Sequence, residues 1–291
     1  VWLELVLECQ RCTLLTVSCA EHLAGKLQQR GKCQHCALVS THCICPHLAK
    51  LKEDMQASPC AVDGVRLVVW MHVRERSRAS NTGKLLEHLL PGCEVFLHGV
   101  PADAARFKAC VASAAGRAFV LFPSACALPA EVALASVLRG DAAEMPGNGL
   151  GIAGPRALVV LVDGTWGQAR RMHRELEGLR YISLAPASRS EFTWRRQSKD
   201  GRISTVEAAA FLLEALGEPS GLATAALLRQ ALAMLNEALE RQSHYDGLRH
   251  LHTPLEQVRS PLQGRLPKWG PGDRAGVRRQ PACGDSESYQ R

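Results

Sequence analysis

Short apolar runs that alternate with longer amphipathic stretches constrain the fold of this 291-residue chain more than any other feature. The runs are nearly continuous and rich in β-branched residues, which is typical of strands that are covered on both faces. We predict five such strands: VRLVVWMH (65–72), EVFLH (94–98), AFVLF (118–122), ALVVLVD (157–163) and RYISL (180–184).

Amphipathic stretches separate and follow these strands, and their periodicity predicts helices. The predicted helices cover residues 82–90, 102–114, 128–138, 165–177, 205–216 and 222–242. Strands that alternate with helices in this way form βαβ units. The sequence therefore predicts an α/β fold with a mostly parallel sheet and flanking helices.

Changes in composition divide the chain into three parts. Residues 1–63 are rich in cysteine, and their last part, residues 46–63, is predicted to be a linker because it is polar and contains Pro46 and Pro59. Residues 64–242 carry the alternating pattern and form the main domain. Residues 243–291 are rich in Pro, Gly and Arg without periodicity, which predicts a disordered tail.

The overall charge and the lengths of the apolar runs narrow the class of protein. The net charge of +7 suits a polyanionic partner such as a nucleic acid. Aromatic residues make up only 5% of the chain, which disfavours a broad base-stacking platform. The apolar runs are too short to span a membrane, and the start of the chain shows no secretory signal. We expect an intracellular protein, in the cytoplasm first, with the nucleus and the organelles left open as alternatives. Nothing in the sequence indicates a membrane or an obligate protein partner.

A local cluster of cysteines predicts a zinc site. Cys33, Cys36, Cys43 and Cys45 form two closely spaced pairs, and four thiolates in this arrangement can surround one tetrahedral Zn²⁺. Upstream, Cys9, Cys12 and Cys19 repeat the spacing, with Glu21 at the fourth place. This near-repeat is either a second metal site or an idle duplicate.

Asp163 closes an apolar strand, at the end of a parallel sheet where ligand sites usually lie. The next helix has its own predicted cap, because Thr165 and Gln168 have the spacing of a capping box. A carboxylate at this place therefore either pairs with a buried base or performs chemistry. Trp166, three residues further on, either packs in the core or lines a site.

Two other helix starts are candidates for ligand contacts. Asn81, Thr82 and Gly83 precede one helix, where backbone N–H groups can bind an anion, although an ordinary Asn cap explains the same residues. Ser204 and Glu207 again have capping-box spacing, and arginines precede them.

Five motifs resemble those of the DTW-domain family, the tRNA-uridine aminocarboxypropyltransferases, and they follow one another along the chain in the family's order. The motif that names the family is similar to DGTWGQARRM, which begins at Asp163. Val73 stands where the family often has proline, and Ser80 where threonine is usual; both departures are conservative. The resemblance runs from about Cys33 to Leu239. The other four motifs are CQHCALVSTHCIC (33–45), HVRERSRASNTG (72–83), LFPS (121–124) and RRQSKDGRISTVEA (195–208).

The resemblance implies a SPOUT-like fold with a knotted cofactor site. It also implies that S-adenosylmethionine gives its 3-amino-3-carboxypropyl group to N3 of a tRNA uridine and leaves as methylthioadenosine. Asp163 and Trp166 are then the expected catalytic residues, and Asp163 either removes the N3 proton or holds the cofactor's ammonium group. The expected cofactor contacts are Asn81, Thr82, Gly83, Ser204, Thr205 and Glu207, and the expected tRNA phosphate contacts are Arg170, Arg171, Arg174, Arg195 and Arg196.

Two rival functions remain open from the sequence. A SPOUT-type RNA methyltransferase would use the same cofactor but release S-adenosylhomocysteine. A zinc-ribbon RNA-binding protein with an inactive α/β body would need neither the cofactor nor Asp163.

Overall fold

The computed structural model describes residues 19–57, 64–138, 156–185, 190–194 and 202–245. The chain divides into two units, Val1–Asp246 and Gly247–Arg291, and the second lies outside the described residues. The predicted disordered tail also lies outside them from residue 246 onwards. Its first three residues, 243–245, instead continue the last helix.

Six parallel strands form one sheet in the order β2-β1-β5-β3-β6-β4. The five predicted strands are confirmed to within a residue at each end. The sixth, β4, has only two residues and was not predicted. The strands are β1 Val65–His72, β2 Glu94–His98, β3 Ala118–Leu121, β4 Leu128–Pro129, β5 Ala157–Asp163 and β6 Arg180–Ser183.

Eight α-helices accompany the sheet within the described part of the chain. The six predicted helices are present, but the helix expected over 165–177 ends at Met172 and continues as a 3₁₀ segment, His173–Leu176. The helices are α1 Cys19–Gln29, α2 Cys45–Ala57, α3 Gly83–Leu89, α4 Pro101–Ser113, α5 Ala130–Leu138, α6 Trp166–Met172, α7 Thr205–Leu216 and α8 Pro219–Tyr245. No helix in these described ranges combines the length and the apolarity that crossing a membrane needs.

The predicted linker over residues 46–63 is wrong as far as residue 57, because α2 occupies most of it. Pro46 lies in the first turn, where its missing N–H costs no hydrogen bond. Leu48 and Leu51 of α2 are buried in the same cluster as Val69 of β1. Helix α2 is thus packed onto the main core. Residues 58–63 lie outside the described residues.

Side chains of the central strands alternate between two buried clusters, one on each face of the sheet. Leu161 of β5 packs with leucines of α3, α7 and α8, whereas its neighbour Val160 packs against α4 and α6 on the opposite face. By the same alternation, Asp163 lies on the α3–α7 face. His72, at the end of β1, lies on the other face with Trp70.

The α/β class and the parallel sheet are confirmed, with all strands parallel. Strand β5 lies between β1 and β3, although it follows both in the chain, so the sheet contains crossover connections. The SPOUT-like, knotted arrangement stays a prediction.

Candidate functional site

A pocket of about 180 Å³ opens at the carboxyl ends of β3, β5 and β6, beside the start of α7. This is the position at which open parallel sheets bind ligands. Its walls are mostly apolar, with hydroxyl groups at one side. They include Leu121, Phe122, Gly164, Trp166, Ser183 and Thr205.

Trp166 forms one wall of this pocket at the first residue of α6. Its ring centroid is 6.0 Å from that of Phe122, and the guanidinium carbon of Arg202 lies 4.3 Å above the Trp166 ring. The predicted capping box that starts α6 is present: Thr165 Oγ1 accepts from the Gln168 N–H at 3.4 Å, and Gln168 Oε1 accepts from the Thr165 N–H at 2.7 Å. This cap fixes where the indole enters the pocket.

Asp163 is buried behind the pocket, with 4% of its surface exposed. Its Oδ2 accepts a hydrogen bond from Asn81 Nδ2 at 2.5 Å, and its Oδ1 accepts one from Thr205 Oγ1 at 2.5 Å. The described pocket walls include its neighbours Val162 and Gly164 but not Asp163. The carboxylate therefore joins the end of β5 to the start of α3 and the start of α7.

The turn at residues 81–83 lies against this carboxylate. Asn81 and Thr82 are buried, and Asn81 Oδ1 accepts a hydrogen bond from the Lys84 backbone N–H at 3.1 Å. A Cβ atom built on Gly83 would lie 2.9 Å from Asp163 Oδ2. The sequence suggested an anion at this helix start, and the anion found there is the chain's own Asp163.

Replacing Gly83 by alanine is expected to lower the free energy of unfolding by about 1–3 kcal/mol, because the new methyl group would overlap Asp163 Oδ2 in a packed interior. We also expect the binding of any ligand in the neighbouring pocket to weaken. Urea denaturation measures the first effect. Gly25→Ala on α1 is the matched control, since a Cβ there meets no atom within 4 Å. Equal stability of the two variants would contradict the tight contact.

The start of α7 also carries the second predicted capping box. Ser204 Oγ accepts from the Glu207 N–H at 3.4 Å, and Glu207 Oε2 accepts from the Ser204 N–H at 2.7 Å. Glu207 is buried and accepts further hydrogen bonds from Ser190 Oγ and the Glu191 N–H. Its carboxylate therefore holds the 190–194 loop, while Ser204 and Thr205 line the pocket together with Ile203 and Ala208.

Sequence reasoning missed Lys84, which is buried directly after the 81–83 turn. Its Nζ donates hydrogen bonds to the backbone carbonyls of Cys36 at 3.0 Å and Arg78 at 2.8 Å. Burial lowers the pKa of Lys84 to about 8. The sequence shows only a lysine that follows a glycine at a helix start. A lysine at such a place is usually exposed.

His72 lies at the end of β1 on the other face of the sheet. Its Nδ1 lies 3.2 Å from both the Arg74 backbone N–H donor and Gln168 Nε2, which suits an unprotonated nitrogen that accepts. Burial, and then the positive charges of His98 and Arg74, lower the pKa of His72 to about 4. The imidazole is therefore neutral near pH 7 and links β1 to α6.

This lowered pKa predicts a loss of stability in acid. Between the ordinary histidine pKa near 6.5 and the folded-state value of about 4, the unfolded chain binds more protons at His72 than the folded one. The free energy of unfolding therefore falls as the pH falls through this window. His72→Gln is expected to reduce the difference between urea midpoints at pH 7 and pH 5. His47→Gln, at an exposed histidine of α2, is the control and is expected to leave that difference as in the wild type.

Four cysteine sulfurs form a compact cluster between α1 and α2. All four Sγ atoms lie within 4.8 Å of one another. Cys33 Sγ is 3.6 Å from Cys45 Sγ, and Cys36 Sγ is 3.8 Å from Cys43 Sγ. Thiolates around a tetrahedral Zn²⁺ at about 2.3 Å lie roughly 3.8 Å apart, so these residues fit a zinc ion.

The acidity of these thiols also suits a cation. Hydrogen bonding with Cys45 lowers the pKa of Cys36 to about 4, whereas burial raises the pKa of Cys43 to about 11. The negative charge of Cys36 adds to that rise, and a bound divalent cation would remove this opposition. Of the upstream cysteines, Cys9, Cys12 and the side chain of Cys19 lie outside the described residues.

Three of the five predicted RNA-contacting arginines are described, and all three are exposed. Arg170 and Arg171 lie on α6, which begins at the pocket, and Arg174 lies in the 3₁₀ segment that follows. The exposed side of α6 therefore presents positive charge next to the pocket. Arg195 and Arg196 lie outside the described residues.

Comparison with known proteins gives one finding. A family model described as the DTW domain matches residues 30–245, which include the cysteine cluster, the sheet and the pocket. The chain matches no curated protein and no solved structure.

Proposed function

The chain belongs to the DTW-domain family of tRNA-uridine aminocarboxypropyltransferases, and from this membership we propose that it transfers the 3-amino-3-carboxypropyl group of S-adenosylmethionine to N3 of a uridine in tRNA. The family acts in tRNA modification. The observation that carries the finer proposal is the pocket at the carboxyl ends of β3, β5 and β6, with Trp166 and the α7 hydroxyls in its walls. We also propose, from the family resemblance, that the fold is SPOUT-like and that the chain forms a knot around this pocket.

The pocket suits one part of S-adenosylmethionine. Its volume of about 180 Å³ is below the roughly 300 Å³ at which sites for drug-sized ligands begin. We assign it to the adenine ring, because Leu121, Leu161 and Phe122 offer apolar walls to a flat ring. Ser204 and Thr205, at the other side, offer hydroxyls to the polar groups of the cofactor.

The transfer forms a bond between uridine N3 and the Cγ carbon of the aminocarboxypropyl chain. The C–S bond breaks, its electron pair returns to sulfur, and neutral methylthioadenosine leaves. The N3 proton is lost as the bond forms, and we assign it to solvent water, since the described pocket walls carry no carboxylate, imidazole or amine. Holding N3 and Cγ in line is therefore the main task of the protein, and its gain comes from orientation.

We assign Asp163 to positioning in this reaction. The carboxylate is buried behind the pocket walls, and Asn81 and Thr205 already donate to its two oxygens, so we assign it neither the removal of the N3 proton nor the binding of the cofactor's ammonium group. What it does is hold Thr205, a pocket residue, against the 81–83 turn. Among the predicted cofactor contacts, Ser204 and Thr205 keep that role, while Asn81, Thr82, Gly83 and Glu207 support the pocket from behind.

We propose that Trp166 stacks on the uracil ring. Arg202 covers the indole face at 4.3 Å, and a planar guanidinium can be replaced there by a planar base. Trp166→Ala is expected to lower kcat/KM for tRNA at least about tenfold, since a base–aromatic stack contributes roughly 1–3 kcal/mol. Trp166→Phe keeps an aromatic face and is expected to retain most of the activity. Equal kinetics of the alanine variant and the wild type would contradict the stack.

The exposed arginines support the tRNA partner. Arg170, Arg171 and Arg174 lie on the exposed side of the segment that begins at the pocket, so phosphates beside a bound uridine would meet them. Such contacts hold the register of the RNA without reading its sequence. They also make affinity fall steeply with salt concentration.

The experiment that tests the proposal identifies what is left of the cofactor after reaction with tRNA. Purified zinc-loaded protein, bulk tRNA and S-adenosylmethionine are incubated, and the nucleosides are separated by chromatography. Methylthioadenosine that appears only with tRNA supports aminocarboxypropyl transfer. S-adenosylhomocysteine would instead establish the rival methyltransferase, and tRNA binding without either product would favour the zinc-ribbon RNA-binding protein.

A further inference from the structure

The four-cysteine loop at residues 33–45 is built onto the helix that follows the 81–83 turn. Cys36, Leu38 and Ile44 are buried in the same cluster as Leu85 and Leu86 of α3. The loop is also tied to α8, because its Val39 N–H donates to Gln242 Oε1 at 2.9 Å. The cysteine loop is therefore packed against α3 and tied to α8.

Lys84 connects this loop to the turn by direct hydrogen bonds. It is only 2% exposed, and its Nζ donates to the carbonyl of Cys36, a predicted zinc ligand, and to the carbonyl of Arg78. A buried ammonium group is costly unless it is hydrogen-bonded and balanced by negative charge. The Cys36 carbonyl thus accepts from the Lys84 ammonium group, whose burial is unfavourable in itself and must be offset by these contacts.

The same residue continues the connection towards the pocket. The Lys84 backbone N–H donates to Asn81 Oδ1, Asn81 Nδ2 donates to Asp163, and Thr205 Oγ1 donates to the other oxygen of Asp163. Thr205 lines the pocket. Hydrogen bonds on both ends of Lys84, joined by its own covalent side chain, therefore link a zinc-ligand residue to a pocket hydroxyl.

Opposite charges lie along this series of contacts, and their attraction favours the connection. Four thiolates around one Zn²⁺ carry a net charge of about −2, and Asp163 adds another negative charge. The Lys84 ammonium group lies next to the cysteine cluster, where it donates to the carbonyl of Cys36. Loss of the lysine would leave these negative groups without their buried counter-charge.

We propose that Lys84 is a positioning residue that couples the zinc-bound cysteine loop to the cofactor pocket. On this account the cysteine loop stabilises cofactor binding and is not a separate RNA-binding module. The identity of the pocket's ligand rests on the proposed function; the coupling itself rests on the hydrogen bonds.

The test compares Lys84→Met with Lys50→Met, which changes an exposed lysine on α2 in the same way. Three quantities are measured on zinc-loaded full-length protein: bound zinc, the dissociation constant of S-adenosylhomocysteine by calorimetry, and the dissociation constant of tRNA. We expect Lys84→Met to keep one zinc and to bind tRNA within about twofold of wild type, while its affinity for the nucleoside falls at least about tenfold. Lys50→Met is expected to match wild type in all three.

Hydrogen–deuterium exchange gives a second measurement that needs no ligand. Lys84→Met is expected to speed the exchange of backbone amides at residues 81–84 and 204–207, while β3 exchanges as in wild type. Lys84→Gln, which keeps an N–H donor group but no charge, is used if the methionine variant does not fold. It is expected to show the same changes to a smaller extent.

The coupling is overturned if a folded Lys84 variant binds the nucleoside within about twofold of Lys50→Met and its amides at 204–207 exchange as in wild type. It is also overturned if the variant loses tRNA affinity and keeps nucleoside affinity, because the loop would then serve RNA. Wild-type protein that binds no S-adenosylmethionine would contradict the proposed function instead, and the exchange measurement would still decide the coupling.

Discussion

Asp163→Ala is expected to reduce aminocarboxypropyl transfer at least about 1,000-fold and to lower the free energy of unfolding by about 2–4 kcal/mol. The stability loss follows because the buried Asn81 amide and the Thr205 hydroxyl each lose their acceptor, at roughly 1–3 kcal/mol for each unsatisfied group. The activity loss follows because the start of α7, which lines the pocket, is no longer held against the 81–83 turn. Asp54→Ala, at an exposed position of α2, is the control for both measurements.

Asp163→Asn separates positioning from base catalysis. An asparagine keeps one acceptor, and the Thr205 hydroxyl can turn to accept from the new amide, so most of the stability should remain. Because both contacts can be kept, positioning predicts only a small loss that nucleoside affinity and kcat share, and a pH dependence of kcat that keeps its shape. A general base predicts unchanged nucleoside affinity, a loss in kcat alone, and the disappearance of one limb of the pH profile. That second pattern would contradict the role that we assign to Asp163.

Cys36→Ser is expected to have the second large effect, on stability. Cys36 is the fully buried member of the cluster, and a serine there would leave three thiolates and a weak ligand. We expect purified protein to lose its zinc and the melting temperature to fall by more than about 5 °C, because metal binding contributes directly to folding. Metal analysis and calorimetry check the two effects.

The matched control is Cys126→Ser, which removes an exposed thiol away from the cluster. It is expected to keep one zinc per chain and the melting temperature of the wild type. Cys36→Ser protein that retained zinc and melted like this control would contradict the metal site. Chelation of the wild type is expected to reproduce the unfolding behaviour of Cys36→Ser.

The sheet could be predicted because its strands are short, buried on both faces and interrupted by clear turns. The two-residue strand β4 has no pattern of its own and is defined only by its pairing with β6. Helix α2 was missed because Pro46 and the charged residues around it read as a linker. Among the described side chains of α2, only Leu48 and Leu51 are buried, and two residues are too few to produce a helical periodicity.

The site was predictable in its residues but not in its contacts. Asp163, the 81–83 turn and the start of α7 could each be singled out from local punctuation, and both capping boxes were predicted and are present. Asp163 accepts hydrogen bonds from Asn81 and Thr205, which are separated from it by 82 and 42 positions in the sequence. These contacts depend on the order of the strands in the sheet, which no local sequence pattern contains. Lys84 was missed because a buried lysine has no distinctive sequence signal.

The most direct test of the central claim is to ask which part of S-adenosylmethionine enters tRNA. The protein is incubated with bulk tRNA and S-adenosylmethionine that carries one isotope in the methyl group and another in the aminocarboxypropyl chain, and the digested nucleosides are analysed by mass spectrometry. The account predicts a modified uridine that carries the aminocarboxypropyl label and no methyl label. Methyl label in the tRNA, or no label while the tRNA is bound tightly, would contradict it.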